Sequence, residues 1–142
     1  MKSFFKNINN WQDFTDKLSN LGSKQKGDAF EHLCLLFFKI EPLYRDLYTD
    51  VWIGKKAPQK VLDYLGLTNE DIGIDILAKD KNGKYHAIQC KYHTDKSNNV
   101  TFKKVSTFLA LYQGIPRLQA SVICATTLDS SRHYKSLNFS KP

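Results

Sequence analysis

Trp11, Phe14 and Leu18 recur at three- and four-residue intervals and predict a short helix within residues 1–20. A stronger helical pattern follows in LGSKQKGDAFEHLCLLFFKIEP. Here Ser23 is the expected N-cap, Phe30, Leu33, Cys34, Phe37 and Phe38 form the apolar face, and Pro42 is the stop. DLYTDVWIG changes the pattern to that of a strand, about Leu47 to Ile53. APQKVLDYLGL then predicts a short helix opened near Pro58 and ended by Gly66. Two further strands are expected at about 72–79 and 84–92, and an amphipathic helix from about Thr101 to Gly114, before Pro116. ASVICATT is nearly all apolar, as in a central strand covered on both faces, and DSSRHYKSL predicts the start of one more helix. This order predicts a mixed sheet with helices on both faces. The helix between the third and fourth strands suits a right-handed crossover, which makes those strands parallel.

The two middle strands, in GIDILAKDKNGKYHAIQCKYH, break the rule that buried strands carry apolar residues: Asp75, Gln89 and Lys91 fall inside them. Register decides whether these three meet. A two-residue Asn82-Gly83 turn pairs 75 with 90 and puts Asp75 on the face opposite Gln89 and Lys91. A three-residue loop, Lys81-Asn82-Gly83, ends with glycine in the left-handed position and pairs 75 with 89 and 73 with 91. The polar trio then shares one face, and Ile72, Ile74, Ile76, Ile88 and Cys90 collect on the other. The three-residue loop is the expected register because it sorts the residues more cleanly. A solvated face on an amphipathic hairpin explains the same alternation. However, Leu77 and Ala87 lie on the polar face, and the preceding helix adds an acid, Glu31, beside Phe30, Leu33 and Cys34.

Composition narrows the class. At 142 residues, 42% apolar and 13% aromatic, the chain suits one globular domain with a real core. No run approaches the roughly 18 to 20 apolar residues that span a bilayer, and MKSFFKNINNWQDF has no continuous apolar stretch of the secretory kind. A cytoplasmic protein without a membrane partner is expected. Cys34, Cys90 and Cys124 are odd in number and sit in apolar segments, which fits buried free thiols. No CxxC pair accompanies the scattered His32, His86, His93 and His133, so a structural zinc site is not expected. The net charge of +7 makes polyanions plausible partners. Lys24, Lys26, Lys55, Lys56, Lys60, Lys103 and Lys104 are candidates for tracking a DNA backbone, although scattered solubilising lysines would look the same.

Two carboxylates and an amide oxygen are hard-oxygen ligands suited to Mg²⁺, and a neighbouring lysine can orient a water and balance phosphate charge. Glu31, Asp75, Gln89 and Lys91 therefore form a candidate phosphodiester-hydrolysis set. The other polar residues nearby have simpler roles. Tyr92 and His93 end the strand or border a cleft, and His32 is expected on another helix face. Glu70 and Asp71 belong to a turn, and Asp28 complements the helix dipole.

The stretch Gly73 to His93, with Asp75 ahead of the turn and Gln89-Cys90-Lys91 after it, resembles the PD-(D/E)xK nuclease superfamily in its Mrr-like branch. Glutamine in the second acidic position is usual there. KGDAFEHL with Glu31 is similar to the first-helix acid of that superfamily. Val51-Trp52, Glu70 to Ile76, Phe108 and Thr126-Thr127 resemble the N-terminal nuclease domain attached to superfamily-2 helicases, as in type ISP restriction–modification enzymes. The likeness covers roughly residues 24 to 130.

The resemblance implies a restriction-endonuclease-like α/β fold, a mixed central sheet with core order αβββαβ. It implies a single nuclease domain over 1–142, with a helical extension at 1–22 and a catalytic core at 23–130. It also implies a metal-dependent endonuclease that hydrolyses double-stranded DNA in restriction or defence, with Mg²⁺ or Mn²⁺. Asp75 would be the central metal ligand, with Glu31, Gln89 and the Cys90 backbone carbonyl completing the set, and Lys91 would act on the water. A fused or associated helicase or methyltransferase is expected. The end at SLNFSKP favours an N-terminal piece of a longer protein over a chain that acts alone. Two alternatives stay open: a catalytically silent DNA-binding module, which Gln89 and the basic surplus suggest, and a Holliday-junction-resolvase-like nuclease. Oligomeric state is open.

Overall fold

The structure, a computed structural model, describes residues 2–68, 70, 73–93 and 102–126, leaving aside the side chains of 102–104. The expected roles of Asp71 and Ile72, of Lys103 and Lys104 as side chains, of Thr127 and of the last predicted helix lie outside the described residues. Helix α1 (Trp11–Leu18) starts at an Asn10 cap whose side chain accepts from the Asp13 N–H. It buries Phe14 and Leu18 and leaves Trp11 exposed. Helix α2 (Ser23–Ile40) is capped by Gly22, one residue before the expected Ser23. The Gln25 side chain turns back to accept from the Gly22 N–H. Its buried stripe is Ala29, Phe30, Cys34 and Phe38, while Leu33 is half-buried and Phe37 is exposed.

Pro42 ends α2 as expected, but it also begins a helix the sequence pattern missed, α3 (Pro42–Leu47). The Glu41 carboxylate caps that helix by accepting from the N–H groups of Leu43 and Tyr44, and proline needs no donor at the first helical position. Strand β1 (Tyr48–Ile53) runs into a 3-10 turn, Gly54–Lys56, and helix α4 (Gln59–Leu65) ends at Gly66 with φ +73°. Strands β2 (Ile76–Asp80) and β3 (Tyr85–Lys91), helix α5 (Phe102–Gly114) and strand β4 (Leu118–Ala125) complete the described chain.

The four strands form one sheet in the order β1-β2-β3-β4. β1, β2 and β3 are antiparallel neighbours, and β4 lies parallel to β3 after the α5 crossover, as expected. One face packs on α1 and α2 through Phe14, Phe30, Cys34, Phe38, Ile53, Ile76, Ile88 and Cys90. The other packs on α4 and α5 through Val61, Leu62, Leu77, Ala87, Val105 and Phe108. The mixed α/β class with helices on both faces is therefore present. β4 departs from expectation in its position: among the described residues it is an edge strand and mostly half-buried, although Ile123 and Ala125 pack on one core and Val122 and Cys124 on the other. Its apolar run serves two layers unequally, which composition does not reveal. No described helix is long and apolar enough to cross a membrane.

The hairpin takes the three-residue loop. Ile76 faces Ile88 and Leu77 faces Ala87, the register in which 80 meets 84. The Asp80 N–H donates to the Lys84 carbonyl at 2.8 Å, and Gly83 sits at φ +79°. The buried Asp80 carboxylate braces the loop by accepting from the N–H groups of Asn82 and Lys84. Burial pushes that carboxyl up, but the two N–H donors and nearby His86 and Lys84 outweigh it and hold its pKa below the ordinary value. His86 Nε2 lies 3.5 Å from Asp80, and its Nδ1 is 2.9 Å from the Tyr48 hydroxyl on β1. The loop end of the hairpin is thus tied to its neighbouring strand by a polar chain.

Gly83→Ala should cost about 1 kcal/mol, because a Cβ is unfavourable at this positive φ even in open space. The urea midpoint should fall with the m-value unchanged; an unchanged midpoint would contradict the left-handed loop.

Candidate functional site

At the other end of the hairpin, β2 parts from β3. Continuing the ladder would bond the Cys90 N–H to the carbonyl of residue 74, since hydrogen-bonded pairs alternate along an antiparallel ladder. Gly73, at φ +66°, redirects the chain before that point, and Ile74 turns into the α4–α5 core. The expected grouping of Ile74 with Ile76, Ile88 and Cys90 is therefore corrected: Ile74 precedes the first strand residue and packs in the opposite layer. β1 nevertheless keeps hold of β2, because the Gly54 N–H donates to the Asp75 carbonyl at 2.8 Å.

The Asp75 side chain fills the gap. Its Oδ2 accepts from the Cys90 N–H at 2.7 Å, a charge-assisted bond in place of the missing ladder bond. By the same alternation the Cys90 carbonyl is directed toward this gap. Glu31 approaches from α2, with its carboxyl within hydrogen-bonding reach of Asp75. The expected gathering on one sheet face is thus only part of the arrangement. The strand gap also lets a helix on the other face contribute. Lys91 lies close enough for its charge to act on Asp75. Asp28, one turn before Glu31, and Lys55, from the 3-10 turn, line the same open cleft with Gly73, Ile74 and Ile53.

Electrostatics follow from this crowding. Burial, the Asp75 charge and the Asp28 charge, in that order, push Glu31 up to about 7, against a partial counter-pull from Lys55. Burial also raises Asp75, although the Cys90 N–H, Lys91 and Glu31 each oppose it. Two carboxyls that face each other across one proton form a site short of positive charge. The Gln89 Oε1 is buried and has no hydrogen-bond partner among the described residues. Carboxylate, carbonyl and amide oxygens are the donors that a hard divalent cation takes. The residues therefore fit Mg²⁺ or Mn²⁺, and among the described residues no group of three or more His, Cys, Asp or Glu is placed to hold a metal by itself. Any such ion depends on the backbone and on Gln89 as well as on the acid pair.

Other expected residues are dispersed. Lys24 and Lys26 stand at the start of α2, Lys24 exposed and Lys26 half-buried, and Lys55 and Lys56 are exposed on the 3-10 turn. Of these only Lys55 lines the cleft, and Lys60 lies on the other sheet face. His32 bonds by Nδ1 to the Asp28 carbonyl, one turn back along α2. The strand end is closed by Thr126, whose N–H donates to the Lys91 carbonyl and whose hydroxyl accepts from the His93 N–H. Asp28 as a cleft residue was missed. Its signal was the three-residue spacing to Glu31, which places both on one helix face.

Because Glu31 holds its proton more tightly when folded than the ordinary 4.5, metal-free stability should fall as pH rises from about 4.5 to about 7. Glu31 is only half-buried, so solvent screening limits the loss to on the order of 1 kcal/mol. Glu31→Gln should flatten this slope, and Mg²⁺ at pH 8 should raise the melting temperature of the wild type more than that of Glu31→Gln. Parallel melting curves across that pH range would refute the shared proton.

A family profile for restriction endonucleases of the Mrr-like catalytic type matches residues 39–139. It spans all four strands but begins after Glu31. Among solved structures, the ATP-dependent type ISP restriction-modification enzyme LlaBIII bound to DNA is similar, with 32% identity and a TM-score of 0.56. The similarity covers 76% of this chain and 6% of that one, so this chain spans a small part of the larger enzyme's length. No curated protein matches. The profile and the structural likeness agree, and the chain belongs to the restriction endonuclease family, in the Mrr-like branch of the PD-(D/E)xK nucleases.

Proposed function

We propose that this chain is a metal-dependent nuclease module that hydrolyses phosphodiester bonds of double-stranded DNA in restriction. The observation that carries the reading is the Asp75 carboxylate, anchored on the Cys90 N–H where β2 and β3 part and faced by Glu31 and Lys91. Asp75, Glu31, Gln89 and the Cys90 carbonyl would hold Mg²⁺ or Mn²⁺. That ion, when bound, supplies Lewis-acid stabilisation of charge on the phosphate oxygens.

The remaining work belongs to the chain itself. The bond from Cys90 fixes Asp75 against rotation, so its free oxygen has one direction to face. Glu31 gives up its proton near neutral pH and can then serve as a second anionic oxygen ligand. Lys91 donates to the attacking water and orients it toward phosphorus, and its positive charge offsets that of the phosphate. Lys55, at the cleft wall, is placed to meet a phosphate oxygen. Hydrolysis adds the water oxygen to phosphorus and breaks one phosphorus–oxygen ester bond; a proton of the water passes to solvent, and the departing ester oxygen takes up a proton and leaves as a hydroxyl group.

The likeness to an ATP-dependent type ISP restriction-modification enzyme bound to DNA supports DNA as the polymer, and a larger restriction-modification enzyme as the setting for such a module. The substitution of Gln89 for an acid favours one competing reading, a silent DNA-binding module.

Plasmid nicking in Mg²⁺ separates the two. The wild type should nick, and Asp75→Ala and Lys91→Ala should each lose about 100-fold or more in rate. Equal rates in all three would remove these residues from the reaction. Metal-independent DNA binding without any wild-type nicking would establish the silent module.

A further inference from the structure

A second groove lies on the sheet face opposite α2, where α4 packs beside the β1 edge. Its floor is aromatic, made of Trp52 from β1, Tyr64 from α4 and Tyr85 from β3. The strand register places Lys79 between Asp50 and Tyr85 in one cross-strand row, with the ammonium 5.9 Å from the centre of the Tyr85 ring. Lys60 and Tyr64 are four residues apart on α4 and share one helix face, and both line the groove. Neither Lys60 nor Lys79 is ion-paired among the described residues.

Tyr64 is 49% exposed, yet it is not a loose surface ring. The Arg117 guanidinium stacks 4.4 Å from the ring centre and also donates to the Tyr64 carbonyl. Tyr85 tilts against the ring at 5.6 Å. A ring held this way loses little freedom when something flat stacks on it. The groove therefore combines a π surface held in place by Arg117 with two lining cations, Lys60 and Lys79, against one carboxylate, Asp50.

We infer that this groove binds unpaired nucleotides of a DNA strand, with bases stacking on Tyr64 and the aromatic floor and phosphates meeting Lys60 and Lys79. Stacking platforms edged by cations are the chemistry that holds single strands without reading sequence. An intact duplex hides its base faces and would meet the lysines alone. The position also suits a strand that continues from the first cleft. Ile53 and Lys55 line that cleft, whereas Trp52 and Lys60 line this groove. β1 is an edge strand among the described residues, so a polymer passing round it reaches both faces. The inference takes DNA as the polymer from the proposed function but requires no cleavage.

Binding of the whole chain to fluorescent oligo-dT of about 15 nucleotides, measured in EDTA, tests it. Tyr64→Leu keeps the apolar bulk and should weaken binding at least about fivefold, the low end of the loss of one stacked base. Tyr64→Phe keeps the ring and should stay within about twofold. Lys60→Gln and Lys79→Gln should each lower the slope of log affinity against log salt by about 0.7. An unchanged affinity in Tyr64→Leu together with unchanged salt slopes overturns the groove, as does blunt duplex binding with the same dependence on Tyr64. Because every readout is taken without metal, failure of the nicking assay and failure of this groove are separate results.

Discussion

One hydrogen bond organises the cleft end of this domain: the Cys90 N–H given to the Asp75 carboxylate instead of to the next ladder carbonyl. A sheet that stayed paired there would bury Cys90's backbone groups against β2 and leave no entrance between the strands. Parting the strands exposes polar backbone, which is costly unless a partner is supplied. Asp75 supplies it from the same chain, and the carboxylate is thereby held in the opening. The Gly54 bond to the Asp75 carbonyl keeps the departing strand from drifting away from β1. Local structure and site chemistry thus have one origin.

That gap also explains why two layers of the fold contribute to one cleft. Residues on opposite faces of an intact sheet are shielded from one another by the backbone. Here Glu31 comes from the α2 layer and Asp75 from a strand end whose preceding residue, Ile74, packs against α4 and α5. Burial first and then the Asp75 charge raise the Glu31 pKa, and the same crowding makes the place receptive to a cation. Asp28 strengthens that field without being needed to create it.

Much of this was legible in the sequence because period-two alternation and turn chemistry agree. Only the Lys81-Asn82-Gly83 loop puts Gln89 and Lys91 across from Asp75 and Gly73 while leaving Ile76 and Ile88 together. Glu31 was legible as an acid beside an apolar helix stripe. The departures have physical causes as well. α3 was hidden because Pro42 was read only as a stop, although Glu41 before it is a helix cap. Ile74 was assigned by alternation beyond the point where Gly73 ends alternation. The apolar β4 run gave no sign that one side of the strand lies open, since edge position is a property of topology and not of local composition. The groove around Tyr64 depends on Arg117, far away in sequence, and no local pattern joins them.

The polar chain from Tyr48 through His86 to Asp80, at the loop end of the hairpin, has a consequence for how the chain finds its pairing. Hairpins made mainly of apolar residues slip easily, because one greasy contact substitutes for another. A one-residue slip here would separate the Tyr48 hydroxyl from His86 and deprive the buried Asp80 of its donors, a penalty that apolar contacts do not make good. A shifted pairing is therefore penalised, and the geometry of the cleft is held in register from the far end of the hairpin.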